Sequence, residues 1–250
     1  MAIIGLIGGS GLEKLNILRD TRELSVDTPY GSPSSSFICG RIADNEVYIL
    51  SRHARDHSIT PTHVNNRANI YAIKDLGCKS IFATTACGSL REEILRGDIV
   101  FPDQFLDFTK KRINTFHDHF EPGVIGHVAM PDPFSEDLRK KLIRGAEVLK
   151  LSFHPKGTVV TIEGPRFSTR AESNMFRTIG ADIINMSIAP EAALANEAGI
   201  PYAVIALSTD YDAWKHDEEP VTWAEILKVF EENVKHVTAL LVNILRDFND

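Results

Sequence analysis

Ile3-Ile4-Gly5-Leu6-Ile7-Gly8-Gly9-Ser10-Gly11-Leu12 begins as an apolar strand pattern and breaks into glycines around one hydroxyl, that of Ser10. Glycines let successive N–H groups turn inward and let a ligand approach the backbone, so the break suits an anion, with Ser10 as a further donor. A plain glycine-rich turn after an edge strand would read the same way. A dinucleotide pyrophosphate calls for G-x-G-x-x-G, but the frame from Gly9 reaches Lys14 where the last glycine belongs, and no G-x-x-x-x-G-K-[ST] follows. Both common nucleotide motifs are therefore excluded at this loop.

Strand-like runs recur outward from it at 3–7, 36–40, 47–51, 80–85, 99–101, 157–162, 183–186 and 202–207. Many are apolar on both faces, as in sheets covered on two sides. Helical signals lie between them. Val64, Ala68, Tyr71, Ala72 and Leu76 recur at helical spacing up to Gly77, and Ser135 can cap a helix whose first turn holds Glu136 and Asp137. Thr169–Glu172 and Thr222–Glu225 have the form of capping boxes. The second opens an amphipathic stretch through Ile226, Leu227, Phe230, Val234, Val237, Leu241, Ile244 and Leu245. This alternation predicts an α/β fold with a mixed, twisted sheet wrapped by helices. No repeat, low-complexity tract or linker interrupts the 250 residues, so one domain over 1–250 is expected. The stretch 110–132, with Lys110-Lys111-Arg112 and His117-Asp118-His119, reads as a mobile loop or a subunit contact.

Composition narrows the function. Hydrophobic residues make up 43% and charged residues 24%, enough for a core without metal or disulfide support. A net charge of −7 argues against a nucleic-acid-binding surface. Cys39, Cys78 and Cys87 match neither a disulfide framework nor a zinc site, and read as reduced thiols of a cytoplasmic protein. The N-terminus has no basic leader, and no apolar run is long enough for a membrane span.

Sheets of this class gather their ligands beyond the carboxyl ends of strands. Arg52-His53-Ala54-Arg55-Asp56-His57 follows one strand. Its two histidines lack the glutamate of H-E-x-x-H and stand among arginines, which repel a metal cation and attract an oxyanion. Alone, the segment would also pass for an exposed charged turn. Thr84-Thr85-Ala86-Cys87-Gly88-Ser89 ends another strand in small residues that would let a ligand lie against the backbone. No histidine or lysine flanks Cys87, so it reads as a packed thiol. Asn185-Met186-Ser187 offers a second hydroxyl before a helix with Pro190 in its first turn. Thr209-Asp210-Tyr211-Asp212 reads either as a proton donor with a neighbour or as an aspartate-rich turn.

Together these segments resemble the purine nucleoside phosphorylase family, in its methylthioadenosine phosphorylase branch. The likeness runs from Gly8–Leu12 through Asp27-Thr28-Pro29-Tyr30-Gly31, Arg52-His53, Thr84–Leu90 and Glu163-Gly164-Pro165-Arg166-Phe167 to Thr209–Asp212. Thr161–Arg170 and Asp182–Glu191 are its longest ordered stretches. The resemblance implies a single domain on a partly barrel-like mixed sheet. It implies phosphorolysis of 5′-methylthioadenosine to adenine and 5-methylthioribose 1-phosphate, with orthophosphate as co-substrate and no cofactor or metal. It also implies a homotrimer or homohexamer.

By the same resemblance Ser10, Arg52, His53, Thr85, Ala86 and Ser187 surround phosphate. Phe167 and Ser168 adjoin the purine, and Ile184, Asn185 and Met186 adjoin the nucleoside, Met186 against its ribose. Asp210 hands a proton to N7 while Asp212 meets the exocyclic amine, and Asp210, His53 and Ser187 form the catalytic group. His57 and His127 fall near the 5′ end, His127 across a subunit contact. Two departures stand out: Ala54 where glycine is common, and a chain ending at Asp250, short of the extension that lines the thioether pocket in eukaryotic members. The second leaves the strictness of the methylthio preference open. The alternatives are a 6-oxopurine phosphorylase acting on purine nucleosides or methylthioinosine, a nucleoside hydrolase, and a purine sensor without turnover.

Overall fold

The N-terminal apolar run forms a strand, β1 (Ile3–Gly8), whose side chains alternate between two cores. A computed structural model describes residues 1–9, 17–123, 125–217, 222–246 and 248, with the side chains of 223–227 and 230–232 outside the description. In chain order β1 is followed by β2 (Arg19–Leu24), β3 (Phe37–Ile42), β4 (Asn45–Ser51), α1 (Asn66–Asp75), β5 (Ser80–Ser89), β6 (Ile99–Val100), β7 (Gln104–Phe108) and α2 (Glu136–Val148). Then come β8 (Phe153–His154), β9 (Thr158–Ile162), α3 (Arg170–Thr178), β10 (Ile183–Asn185), α4 (Ile188–Glu197), β11 (Tyr202–Asp210) and α5 (Trp223–Arg246).

Ile3 and Ile7 pack toward Ile70 and Ile73 of α1 and Ile188, Ala192 and Leu194 of α4. Ala2, Ile4 and Leu6 pack toward Leu138 and Leu142 of α2 and Leu240, Leu241 and Ile244 of α5. One strand thus serves two helical layers, because strand side chains alternate and both faces are covered. Gly5 is required on the α1 side, where a Cβ would stand 2.9 Å from the Cγ2 of Ile73. Gly145 serves α2 and α5 likewise, since a Cβ there would stand 2.7 Å from Ile244.

The sheet runs β2-β3-β4-β1-β5-β10-β9-β7 and forks at β5, which also pairs with β11, itself joined to β6 and then β8. β1 lies parallel to β4 and β5, and β11 parallel to β5, so four strands present their carboxyl ends along one edge. β10 pairs antiparallel with the far end of β5 and carries the chain back toward that edge. The expected mixed α/β sheet is present, with β5 extended to Ser89, four residues past the strand expected there.

Three strands escape the sequence reading. β2 is a polar edge strand with almost every residue exposed, β7 is a short partly exposed strand, and β8 is two residues long. The expected caps form at Ser135, which accepts from the N–H of Leu138, and at Thr169 with Glu172 in a reciprocal capping box. Gly77 ends α1 with φ +78°. The helix expected after Thr222 forms as α5, while the Glu225 side chain that the expected capping box needs lies outside the described residues. The start of the 110–132 stretch is anchored: Glu163 accepts from the N–H groups of Lys110 and Lys111, and Glu197 from that of Phe116. Among the described residues no helix is long and apolar enough to cross a membrane.

Candidate active site

A cavity opens at the shared edge of β4, β5, β10 and β11. Of the expected residues it takes in Arg52, His53, His57, Thr85, Ala86, Phe167, Ile184, Asn185, Met186, Ser187, Asp210 and Asp212. They come from segments far apart in the chain and meet because the strands carrying them end together. Ser10 lies outside the described residues. Gly9 is described: its N–H donates to Thr84 Oγ1 at 3.0 Å, and a Cβ there would stand 2.6 Å from Arg52 Nη1.

Arg52 departs from expectation. The segment is no exposed turn, since Arg52 is 1% exposed, but its planar fork is engaged by protein. Nε and Nη2 donate to the two carboxylate oxygens of Glu191 at 2.5 and 2.9 Å, and Nη1 donates to the carbonyl of Thr84 at 2.8 Å. Tyr202 Oη donates to the same carboxylate at 2.7 Å. A buried guanidinium needs a carboxylate partner, and Glu191, itself fully buried on α4, supplies it. Sequence reasoning missed Glu191 as a site residue. Its signal was a single acid among the alanines of Ile188-Ala189-Pro190-Glu191-Ala192-Ala193.

His53 Nδ1 lies 2.8 Å from the carbonyl of Ile59. A carbonyl only accepts, so Nδ1 carries the proton, which leaves Nε2 as the second nitrogen. The His57 ring sits 4.8 Å from that of His53. Ser187 is the N-cap residue of α4, yet its side chain makes no capping bond; its hydroxyl lies 3.4 Å from that of Thr85. The positive end of α4 therefore adjoins two hydroxyls, an imidazole and a guanidinium. That combination holds an oxyanion.

The other end of the cavity is acidic. Asp210 is buried at the end of β11, where Oδ1 accepts from the N–H of Asp212 at 2.8 Å and Oδ2 lies 2.8 Å from Thr209 Oγ1. Burial raises its carboxyl above the ordinary aspartate value. The Thr209 hydroxyl has one hydrogen and also faces the carbonyl of Cys87 at 3.2 Å. That single hydrogen is shared between the Asp210 carboxylate and the Cys87 carbonyl, and its bond to Asp210, like that of the Asp212 N–H, offsets part of the effect of burial. Thr209, Cys87 and Gly88 line the cavity as well and were not expected there. A Cβ on Gly88 would stand 2.9 Å from Asp210 Oδ1. Cys87 is a buried thiol whose pKa is raised well above normal by that burial, as its packed character implied.

Asp212 adopts φ +49°, and burial raises its carboxyl too. Ser173 and Ser168 stand close enough to favour its ionised form in part. Neither is placed for a hydrogen bond, however, and Asp212 Oδ2 and both hydroxyls are buried without a partner. Ser168 therefore sits behind the carboxylate and does not line the cavity. His127 is exposed, packs edge-on against Phe120 at 5.5 Å and does not line this chain's cavity.

The chain is similar to known proteins over nearly its whole length. The profile of the phosphorylase superfamily matches residues 3–246. The S-methyl-5'-thioadenosine phosphorylase of Danio rerio is 50% identical over 97% of this chain and 87% of its own length. That of Xenopus tropicalis is 51% identical over the same shares. Among solved structures, a methylthioadenosine phosphorylase from Schistosoma mansoni in complex with adenine superposes with a TM-score of 0.94 at 40% identity, covering 98% of this chain and 91% of its own. A mutant adenosine/methylthioadenosine phosphorylase from the same organism, in complex with methylthioadenosine, gives a TM-score of 0.92 at 40% identity, with coverage of 98% and 91%.

Proposed function

The chain belongs to the phosphorylase superfamily, and we propose that it cleaves 5′-methylthioadenosine with orthophosphate, giving adenine and 5-methylthioribose 1-phosphate. Phosphate attacks C1′, the C1′–N9 bond breaks, its electron pair goes to the purine, and Asp210 protonates N7. The observation that carries this reading is one cavity holding a buried acid whose carboxyl is raised by burial, Asp210, beside a second carboxylate, Asp212, together with a cationic corner. Asp212 lines the same end of the cavity, where its carboxylate accepts from the 6-amino group of adenine. A 6-oxo group would set an acceptor against it.

Phosphate takes the corner formed by His53, Thr85, the Ala86 backbone, Ser187 and the amino end of α4, and the family resemblance assigns Ser10 to the same anion. Arg52, held by Glu191, supplies positive charge. Phe167 and Ile184 flank the purine, Ser168 backs Asp212, and Asn185, Met186 and His57 line the sugar side. The reaction needs no cofactor, because phosphate itself is the nucleophile. Residues 1–250 act as one domain within a homotrimer or homohexamer, where His127 reaches the sugar of a neighbouring cavity. Three buried, unpaired cysteines fit a reducing compartment, so the protein is assigned to the cytoplasm.

Incubation with methylthioadenosine, adenosine, methylthioinosine and inosine, each with and without phosphate, tests the reading. Adenine and a sugar 1-phosphate should form from the 6-amino substrates only when phosphate is present. Free sugar in phosphate-free buffer would make it a hydrolase, preference for inosine a 6-oxopurine enzyme, and purine binding without turnover a sensor.

A further inference from the structure

We infer that Arg112, which does not itself line the cavity, is a positioning residue for its nucleoside half; the inference rests on the phosphorolysis reading above. The Arg112 side chain is 1% exposed and clamps two cavity walls at once. Nε donates to Glu163 Oε1 at 2.9 Å, Nη2 to the carbonyl of Glu163 at 2.6 Å, and Nη1 to the carbonyl of Met186 at 3.2 Å. The other oxygen of Glu163 accepts from the N–H groups of Lys110 and Lys111 at 2.6 and 3.0 Å.

Glu163 leads through Gly164, at φ +69°, into the segment that brings Phe167 to the cavity. A Cβ at Gly164 would collide with the Met186 sulfur, so the two walls already touch there. Arg112 thus fixes the distance between the backbone behind Met186 and the turn before Phe167. The phosphate corner hangs on other partners: Arg52 on Glu191, His53 on Ile59, and the Ser187 N–H on Asn185 Oδ1. Burial alone would raise the Glu163 carboxyl, but the two backbone N–H groups and Arg112 outweigh it and hold it at about 2. The clamp therefore stays ionised at any pH suited to assay.

Loosening the clamp should misplace the nucleoside and spare phosphate. Arg112→Lys keeps the charge but not the fork that reaches three acceptors, and Glu163→Gln keeps the shape but not the charge. For both variants, the KM for methylthioadenosine should rise about tenfold while the KM for phosphate stays within about twofold, since small misplacements near a reacting centre have effects of that size or larger. A purely structural role would lower the melting temperature and the active fraction and leave both KM values unchanged. That result, or an equal rise in both, overturns the inference. Should the wild type release no adenine with phosphate present, the functional reading fails separately. Calorimetric binding of methylthioadenosine to wild type and Arg112→Lys then decides the clamp, equal Kd values counting against it.

Discussion

Asp210 must hold a proton before it can pass one to N7, and its burial works in that direction. Burial raises the carboxyl, so the folded state binds this proton more tightly than the unfolded chain does. Stability from that preference is present below the unfolded aspartate value and is lost as pH rises through the folded one. Activity follows the same direction, because only the protonated form can donate to N7. The kcat/KM for methylthioadenosine should therefore fall as pH rises through the raised pKa, and Asp210→Asn should lack this limb. An asparagine keeps the shape of the acid without its burial cost when charged, and its oxygen can accept from the Asp212 N–H as the acid does. The variant should thus melt no lower than wild type at pH 8 while turnover on methylthioadenosine falls about a hundredfold and the preference relaxes toward 6-oxo substrates. Unchanged kinetics on both substrate types would remove Asp210 from the mechanism.

The turn after β4 shows the same logic for a whole element. Ala54 sits at φ +64°, between the cavity residues His53 and His57, with its N–H bonded to the carbonyl of Ser51. A Cβ in the left-handed region is strained by about 1 kcal/mol or more, which accounts for glycine being common in this place. Ala54→Gly should therefore raise the melting temperature by about 2–4 °C for a chain of this size; a lower value in a thermal scan would show that the turn gains more from the alanine than it loses. Much of this element was legible: Val47–Ser51 read as a strand and Arg52-His53 as an anion site just past it. The partner of Arg52 was not, because Glu191 lies 139 residues away and only the packing of α4 under the sheet brings the two together. The strands β2 and β8 were equally silent, since a polar edge strand has no alternation and two residues have no period. Asp210 and Asp212 were legible as a pair, whereas the hydrogen bond of Thr209 to the Cys87 carbonyl needed the pairing of β11 with β5.

At the scale of the molecule, one stretch exposes several large apolar side chains. Ile113, Phe120, Ile125 and Val128 are all exposed along the stretch that also carries His127. Nearby, Tyr30, Tyr71 and Phe116 line a second groove against Glu197. Exposed apolar groups gathered on one segment mark a contact surface, and a head-to-tail contact that closes into a ring would carry His127 from each copy toward the cavity of the next. This arrangement has a consequence that a self-contained site does not. His127→Ala would damage the neighbour's cavity, whereas Asp210→Asn damages its own. Refolding the two variants together should create rings in which an intact Asp210 faces an intact His127, and phosphorolysis should exceed the sum of the separate activities. Light scattering should give a mass of three or six chains for the wild type. A monomeric mass, or a mixture no more active than its parts, would return His127 to the surface.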